Sequence, residues 1–179
     1  MRADQPLTWS QMCALFERIA DRLDPQVPVD IVIAGGSSLA YFGIRNLTVD
    51  VDVVSEIPEA LTEQIIRMAN EHDLAADWMN NHARSFRPED ADTDVIVFSR
   101  GPLTIRTISA NDLFLMKLDA GRAQDLDDLD GLWPHCTFDS PDDAVDQFDQ
   151  RQPMQHSDGD PHLIDLVRRI AAKHQPPTD

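Results

Sequence analysis

Ile31-Val32-Ile33-Ala34-Gly35-Gly36-Ser37-Ser38, followed by Leu39-Ala-Tyr-Phe-Gly-Ile-Arg45-Asn-Leu-Thr48 and then Val49-Asp50-Val51-Asp52-Val53-Val54, is the stretch that decides the fold. Asp30 to Ala34 reads as a short apolar strand. The glycine pair turns the chain, and Leu39 to Phe42 has the character of a helix. Val49, Val51 and Val53 alternate with Asp50 and Asp52, so in a strand the valines pack inward and both aspartates face the other way. Their Cβ atoms then lie roughly 6–7 Å apart, twice the rise per residue. Carboxylates so placed can share metal ions about 3.5–4 Å apart, the separation of two-metal phosphoryl chemistry. Their hard oxygens suit Mg²⁺, which takes its remaining ligands from water and phosphate.

The upstream half supplies a phosphate grip. Gly35 and Gly36 allow a sharp turn and close approach of a ligand, and a helix beginning there aims N–H groups at an anion. Ser37 or Ser38 is expected to cap that helix or to bond a phosphate oxygen. Arg45, between the halves, offers a bidentate fork. Either half alone is common in proteins, and Asp-x-Asp arises by chance in an Asp-rich chain; the two in this order are more specific.

The string Gly35-Gly36-Ser37…Asp50-x-Asp52 resembles the signature of the DNA polymerase β-like nucleotidyltransferase superfamily, and within it the AbiEii-like branch of abortive-infection and MenT-type toxins. Arg45-Asn-Leu-Thr48-Val-Asp50-Val-Asp52 resembles that branch's Arg-x-x-Thr-x-Asp-x-Asp run. Asp77-Trp78-Met79-Asn80 is similar to a Trp-x-Asn segment, and Lys117…Arg122…Asp125…Asp128 to a Lys–Arg–Asp–Asp helical region. The likeness covers residues 25–135. It implies that Gly36 and Ser37 hold the triphosphate, that Asp50 and Asp52 bind Mg²⁺ or Mn²⁺, and that Lys117 contacts phosphate or nucleotide with Asp125 and Asp128 in support. The superfamily often has a third carboxylate on a later strand, for which Asp77 and Asp94 compete here. It implies a nucleoside triphosphate substrate and an acceptor on tRNA, a protein or a small molecule. For a toxin it also implies a cognate antitoxin. A member of the fold that binds or regulates without catalysing is the alternative.

Composition bounds the rest. At 179 residues the chain suffices for a sizeable core. The expected organisation is a nucleotidyltransferase-like domain over 1–135, with a C-terminal helical appendage over 136–179 packed on it as a single compact unit. The expected fold is α/β (α+β), a small mixed, twisted sheet backed by helices on one side. No run approaches the ~18 apolar residues of a membrane span. The first residues lack a signal peptide's apolar core, and Cys13 and Cys136 are too few for a disulfide scaffold; a cytoplasmic location is expected. Formal net charge is −17. That acidity suits either high-salt solubility or a GC-rich genome, and it opposes long contacts with nucleic acid. A basic patch would have to gather Arg84, Arg87, Arg100 and Arg106. Lysine occurs twice, at 117 and 173, which draws attention to Lys117; neutralising Asp119 on a helix surface is its plainer role.

Along the chain, Thr8-Trp9-Ser10-Gln11 predicts a capping box and a helix through Leu23, stopped by Asp24-Pro25. Pro58 and Glu59 open a second helix with Leu61, Ile65 and Met68 inward. Residues 78–93 read as a long polar loop. Residues 94–98 and 103–108 read as a hairpin. Ser109 to Asp112 opens a further helix, which either continues past Gly121, placing Lys117, Asp125 and Asp128 on one face, or breaks there. Ser140-Pro141 and Asp160-Pro161 open the last two. Trp9, Trp78 and Trp133 are read as packing residues. No His pattern points to zinc, and there is no nucleophile elbow.

Overall fold

Thr8 starts the first helix as its sequence requires. The Thr8 N–H donates to Gln11 Oε1 at 2.8 Å and the Gln11 N–H donates to Thr8 Oγ1 at 3.2 Å, a reciprocal cap. Replacing the cap by alanine removes an acceptor for an N–H that the helix itself cannot satisfy. Thr8→Ala is therefore expected to lower stability by about 1 kcal/mol, read from urea unfolding. This helix, α1 (Trp9–Ala20), turns Met12, Leu15, Phe16 and Ile19 into the core. It ends before Asp24-Pro25, but Leu23 is still buried in the turn that follows.

The computed structural model describes residues 5–84, 95–151 and 161–174. The chain forms two compact units, Met1–Ser109 and Ala110–Asp179. In the first, α1 is followed by β1 (Val29–Ala34), α2 (Gly35–Tyr41), β2 (Val51–Val53), α3 (Glu59–Glu71), β3 (Met79–Asn80), β4 (Val95–Arg100) and β5 (Leu103–Thr107). The five strands make one mixed sheet in the order β3-β2-β1-β5-β4. β1 runs antiparallel to β2 and parallel to β5, β2 is parallel to β3, and β4 is antiparallel to β5. This is the mixed α/β architecture expected from the sequence.

Register explains the two faces. Val29, Ile31 and Ile33 of β1 sit opposite Leu103, Ile105 and Thr107 of β5, and Ile33 also sits opposite Val53. Val29, Ile31, Ile33, Val53, Leu103 and Ile105 share one core with Met12, Phe16, Ile19, Leu61, Ile65 and Met68 from α1 and α3. The alternate positions, Asp30, Val32, Ala34, Asp52, Thr104 and Arg106, face the other way.

The structure departs from the sequence reading at β2 and at β3. Val49 was expected to pack inward, yet it is 47% exposed, because β2 starts only at Val51. Residue 48 is instead held by an isolated bridge to Leu7, with N–H···O contacts of 2.6 and 3.0 Å. The reading of 78–93 as loop also misses β3. Trp78 is buried and its indole N–H donates to Ile65 O at 3.1 Å. That anchor lays Met79 and Asn80 beside Val51 and Asp52. The hairpin forms as expected, turning at Gly101-Pro102.

The second unit contains α4 (Ala110–Ala120), α5 (Leu126–Leu132), α6 (Pro141–Arg151) and α7 (Pro161–Lys173). Ser140 Oγ accepts the Asp143 N–H at 3.0 Å, the cap expected for α6. Phe114, Trp133 and Phe138 make a ring cluster with centroids 5.6–5.9 Å apart. Asp112, fully buried in the first turn of α4, is ion-paired to Arg151 at the end of α6. Gly121, at φ +58°, ends α4. Of the two sequence alternatives for this helix, the break is the one observed. Among the described residues no helix is long and apolar enough to cross a membrane.

Candidate active site

Ala34 pairs with Asp52 across the β1–β2 ladder, and Gly35 is the next residue along. The turn out of β1 is thereby laid directly against the Asp52 carboxylate. Gly35 takes φ +60°. A Cβ at that position would overlap Asp52 Oδ2 and lie 3.1 Å from Cγ. A Cβ at Gly36 would overlap Thr48 Oγ1 and lie 3.0 Å from Thr48 Cβ. A Cβ at either position would force the Asp52 or Thr48 side chain to shift, and Gly35 is favoured by its backbone conformation as well. The glycine turn and the acidic strand meet in space.

Asp50 and Asp52 are half-buried, and neither is turned into the apolar core. Asp50 sits just before β2, with Thr48 Oγ1 3.1 Å from its carbonyl oxygen and 3.4 Å from Oδ1. Asn80 lies opposite Asp52 on β3. Its Nδ2 donates to Asp77 O at 3.2 Å and its Oδ1 accepts the His82 N–H at 3.0 Å, so its amide serves to shape the β3 turn. Asp77 is exposed in that turn. Asp94 and Arg87 lie outside the described residues. Among the described residues no group of three His, Cys, Asp or Glu side chains gathers to hold a metal.

The two serines behave differently from the expected cap. Ser37 and Ser38 are fully buried. Ser37 Oγ donates back to Ala34 O at 2.8 Å, and Ser38 Oγ accepts from Thr107 Oγ1 at 2.6 Å. The helix starts at Gly35, ahead of both, with Ala34 at its N-cap position and no side-chain cap. The serines tie the turn to β1 and β5. At its far end α2 closes with Ile44 N–H on Leu39 O at 2.9 Å and Gly43 N–H on Ala40 O at 3.3 Å, a Schellman motif. That motif delivers Arg45 half-buried into the loop leading to Thr48.

Arg106 occupies the same sheet face as Asp52, as the alternation predicts, but it pairs with Asp30 at 3.1 Å. Arg100 makes a bidentate pair with Asp21 at 2.9 and 3.0 Å. The expected basic patch is in this way neutralised at two of its four members by local carboxylates. Neither cysteine supplies a nucleophile. Burial pushes the Cys136 thiol up to about 12, and burial, with Glu17 nearby, raises that of Cys13.

In the second unit, Lys117 Nζ lies 2.9 Å from Asp125 Oδ1 and 2.7 Å from Asp128 Oδ2. The lysine side chain is 14% exposed and the two carboxylates 6% and 4%. The break at Gly121 makes this possible. The chain folds back, so that Asp125 in a 3-10 turn and Asp128 on α5 meet the ammonium from a separate helix. The surface pairing with Asp119 considered from the sequence is replaced by this buried triad.

A family model described as a nucleotidyltransferase of unknown function (DUF6036) matches residues 10–133. No curated protein and no solved structure matches the chain at a significant level.

Proposed function

The chain belongs to the DUF6036 family of nucleotidyltransferases, and from that premise we propose that it moves a nucleoside monophosphate from a nucleoside triphosphate to an acceptor hydroxyl with the help of Mg²⁺ or Mn²⁺. The observation that carries the reading is the Asp52 carboxylate seated against Gly35, at the mouth of the Gly35-Gly36 turn. The donor set fits a hard divalent ion: Asp50 and Asp52 provide oxygen ligands, and such an ion completes its shell from water and phosphate. When bound, it supplies positive charge to the polyphosphate and acidifies the acceptor hydroxyl.

The chain's own contribution is placement. Asp50 and Asp52 hold negative charge where the reaction needs a cation, and the backbone of Gly35 and Gly36 lets the phosphates approach without side-chain obstruction. The acceptor oxygen forms a bond to the α-phosphorus, the bond from that phosphorus to the α–β bridging oxygen breaks, and pyrophosphate leaves with the electron pair. The acceptor proton passes to solvent. Lys117 carries no step here, because two buried carboxylates already compensate its charge. An acidic surface that repels nucleic acid favours a protein side chain or small molecule over a tRNA end as acceptor. As a toxin, the protein would be held in check by a cognate antitoxin.

The test is direct. The protein is incubated with each α-labelled triphosphate, Mg²⁺ and cell extract, and the fraction gaining label is identified. Asp50→Asn and Asp52→Asn are each expected to lower transfer by at least about two orders of magnitude, the scale of losing one charge-stabilising group. Chelation abolishes it. Transfer that survives both substitutions would falsify the assignment. A second reading, a binding or regulatory protein on this fold, predicts triphosphate binding with no label moved.

A further inference from the structure

We infer that Thr48 is a positioning residue for Asp50, and that Gly36 is glycine because the Thr48 side chain occupies the space a Cβ there would fill. The inference rests on the reading of Asp50 as a metal ligand. Three independent contacts converge on this threonine. Its backbone is clamped on both sides of one residue, Leu7 N–H to Thr48 O at 2.6 Å and Thr48 N–H to Leu7 O at 3.0 Å. Its side chain is wedged against Gly36, with Oγ1 and Cβ in the volume of the missing methyl. Its hydroxyl, 3.1 Å from Asp50 O and 3.4 Å from Asp50 Oδ1, reaches the aspartate two residues on.

The consequence for the site follows from what each contact constrains. Asp50 precedes β2 and has no ladder to fix it, whereas Asp52 is held by pairing to Ala34 and Asn80. A ligand on an unpaired loop residue loses orientation unless something outside the ladder restrains it. Thr48 supplies the restraint. Its single hydroxyl proton is shared between the backbone and side-chain oxygens of the same residue, and the 3.4 Å contact to the carboxylate sets direction more than it adds strength. Thr48 is itself only 9% exposed, so it contacts the ligand through Asp50. Groups that orient a metal ligand in this way typically change metal affinity by about 10- to 100-fold when removed.

Two substitutions separate orientation from packing. Thr48→Val keeps the branched shape that fills the space beside Gly36 and removes the hydroxyl. Thr48→Ser keeps the hydroxyl and removes the methyl. Mn²⁺ alone is titrated into each variant and into wild type, with binding followed by electron paramagnetic resonance and folding checked by thermal melting. Thr48→Val is expected to melt near wild type and to bind Mn²⁺ at least about tenfold more weakly, with Thr48→Ser within about twofold of wild type. Wild-type affinity in Thr48→Val, while Asp50→Asn loses binding, overturns the positioning role and leaves the metal site standing. Weak binding in Thr48→Ser together with normal binding in Thr48→Val makes the residue a packing element and also overturns it. Undiminished binding in Asp50→Asn and Asp52→Asn removes the metal reading itself, and the inference with it.

Discussion

Gly35→Ala is expected to lose nucleotidyl transfer as completely as removal of either aspartate, and to lose stability at the same time. Two separate costs act at one atom. The residue holds φ +60°, a conformation in which an L side chain costs about 1–2 kcal/mol. The new methyl also falls on the Asp52 carboxylate, with Cγ only 3.1 Å away. Asp52 is fixed by its ladder partners Ala34 and Asn80, so the backbone cannot yield without opening β2. What gives is the carboxylate, which must swing out of the position that defines the site. Urea unfolding measures the first effect. Mn²⁺ titration and label transfer on the folded fraction measure the second, and Gly35→Ala binding Mn²⁺ with wild-type affinity would show that the close approach of turn and acid has no functional weight.

Lys117→Met carries the largest stability effect in the second unit. Removing the ammonium leaves Asp125 and Asp128, with side chains 6% and 4% exposed, without the cation that compensates both. Breaking a buried pair from one side typically costs about 3–5 kcal/mol, because the remaining charge stays desolvated. Here two carboxylates are left rather than one. Replacing all three groups, Lys117→Met with Asp125→Asn and Asp128→Asn, removes the stranded charges and is expected to recover much of the loss. Transfer activity, corrected for the folded fraction, is expected to stay near wild type in that triple variant. A Lys117→Met protein as stable as wild type would show that the triad contributes nothing to holding α4 and α5 together. A stable triple variant with abolished transfer would return Lys117 to the chemistry.

The parts of the fold legible in the sequence were those fixed by local pattern. The alternation of Val51, Asp52 and Val53, the apolar run before Gly35, the Thr8–Gln11 cap and the α3 stripe of Leu61, Ile65 and Met68 all appear where their spacing puts them. The meeting of Gly35 and Asp52 was legible too, because a strand–turn–helix followed by a second strand leaves few ways to return. What local pattern could not reveal depends on distant partners. β3 is two residues long and owes its place to the Trp78 indole bonding Ile65. Val49 looks like a strand residue, but the bridge between Leu7 and Thr48 keeps residues 48–50 out of the sheet. Ser37 and Ser38 read as caps, and their burial follows from Thr107 of β5, 69 residues from Ser38. The neutralising of Arg100 and Arg106 involves acids 79 and 76 residues away. The helix break at Gly121, one of two courses that the sequence allows, accompanies the meeting of Lys117 with its two acids.

The parallel pairing of β1 with β5 has a bearing on when this protein becomes competent. Residues 29–33 lie against residues 103–107, so the strand that carries the glycine turn gains its second neighbour only after most of the first unit has been synthesised. Pairings of such long range are slow, because the chain entropy of closing the intervening loop is lost before contacts are gained. A nascent chain that has emerged only as far as Asp52 already holds both acids and both glycines, but not the β-strand that braces them. Assembly order alone would therefore keep a partly translated chain idle on the ribosome until the closing strand arrives.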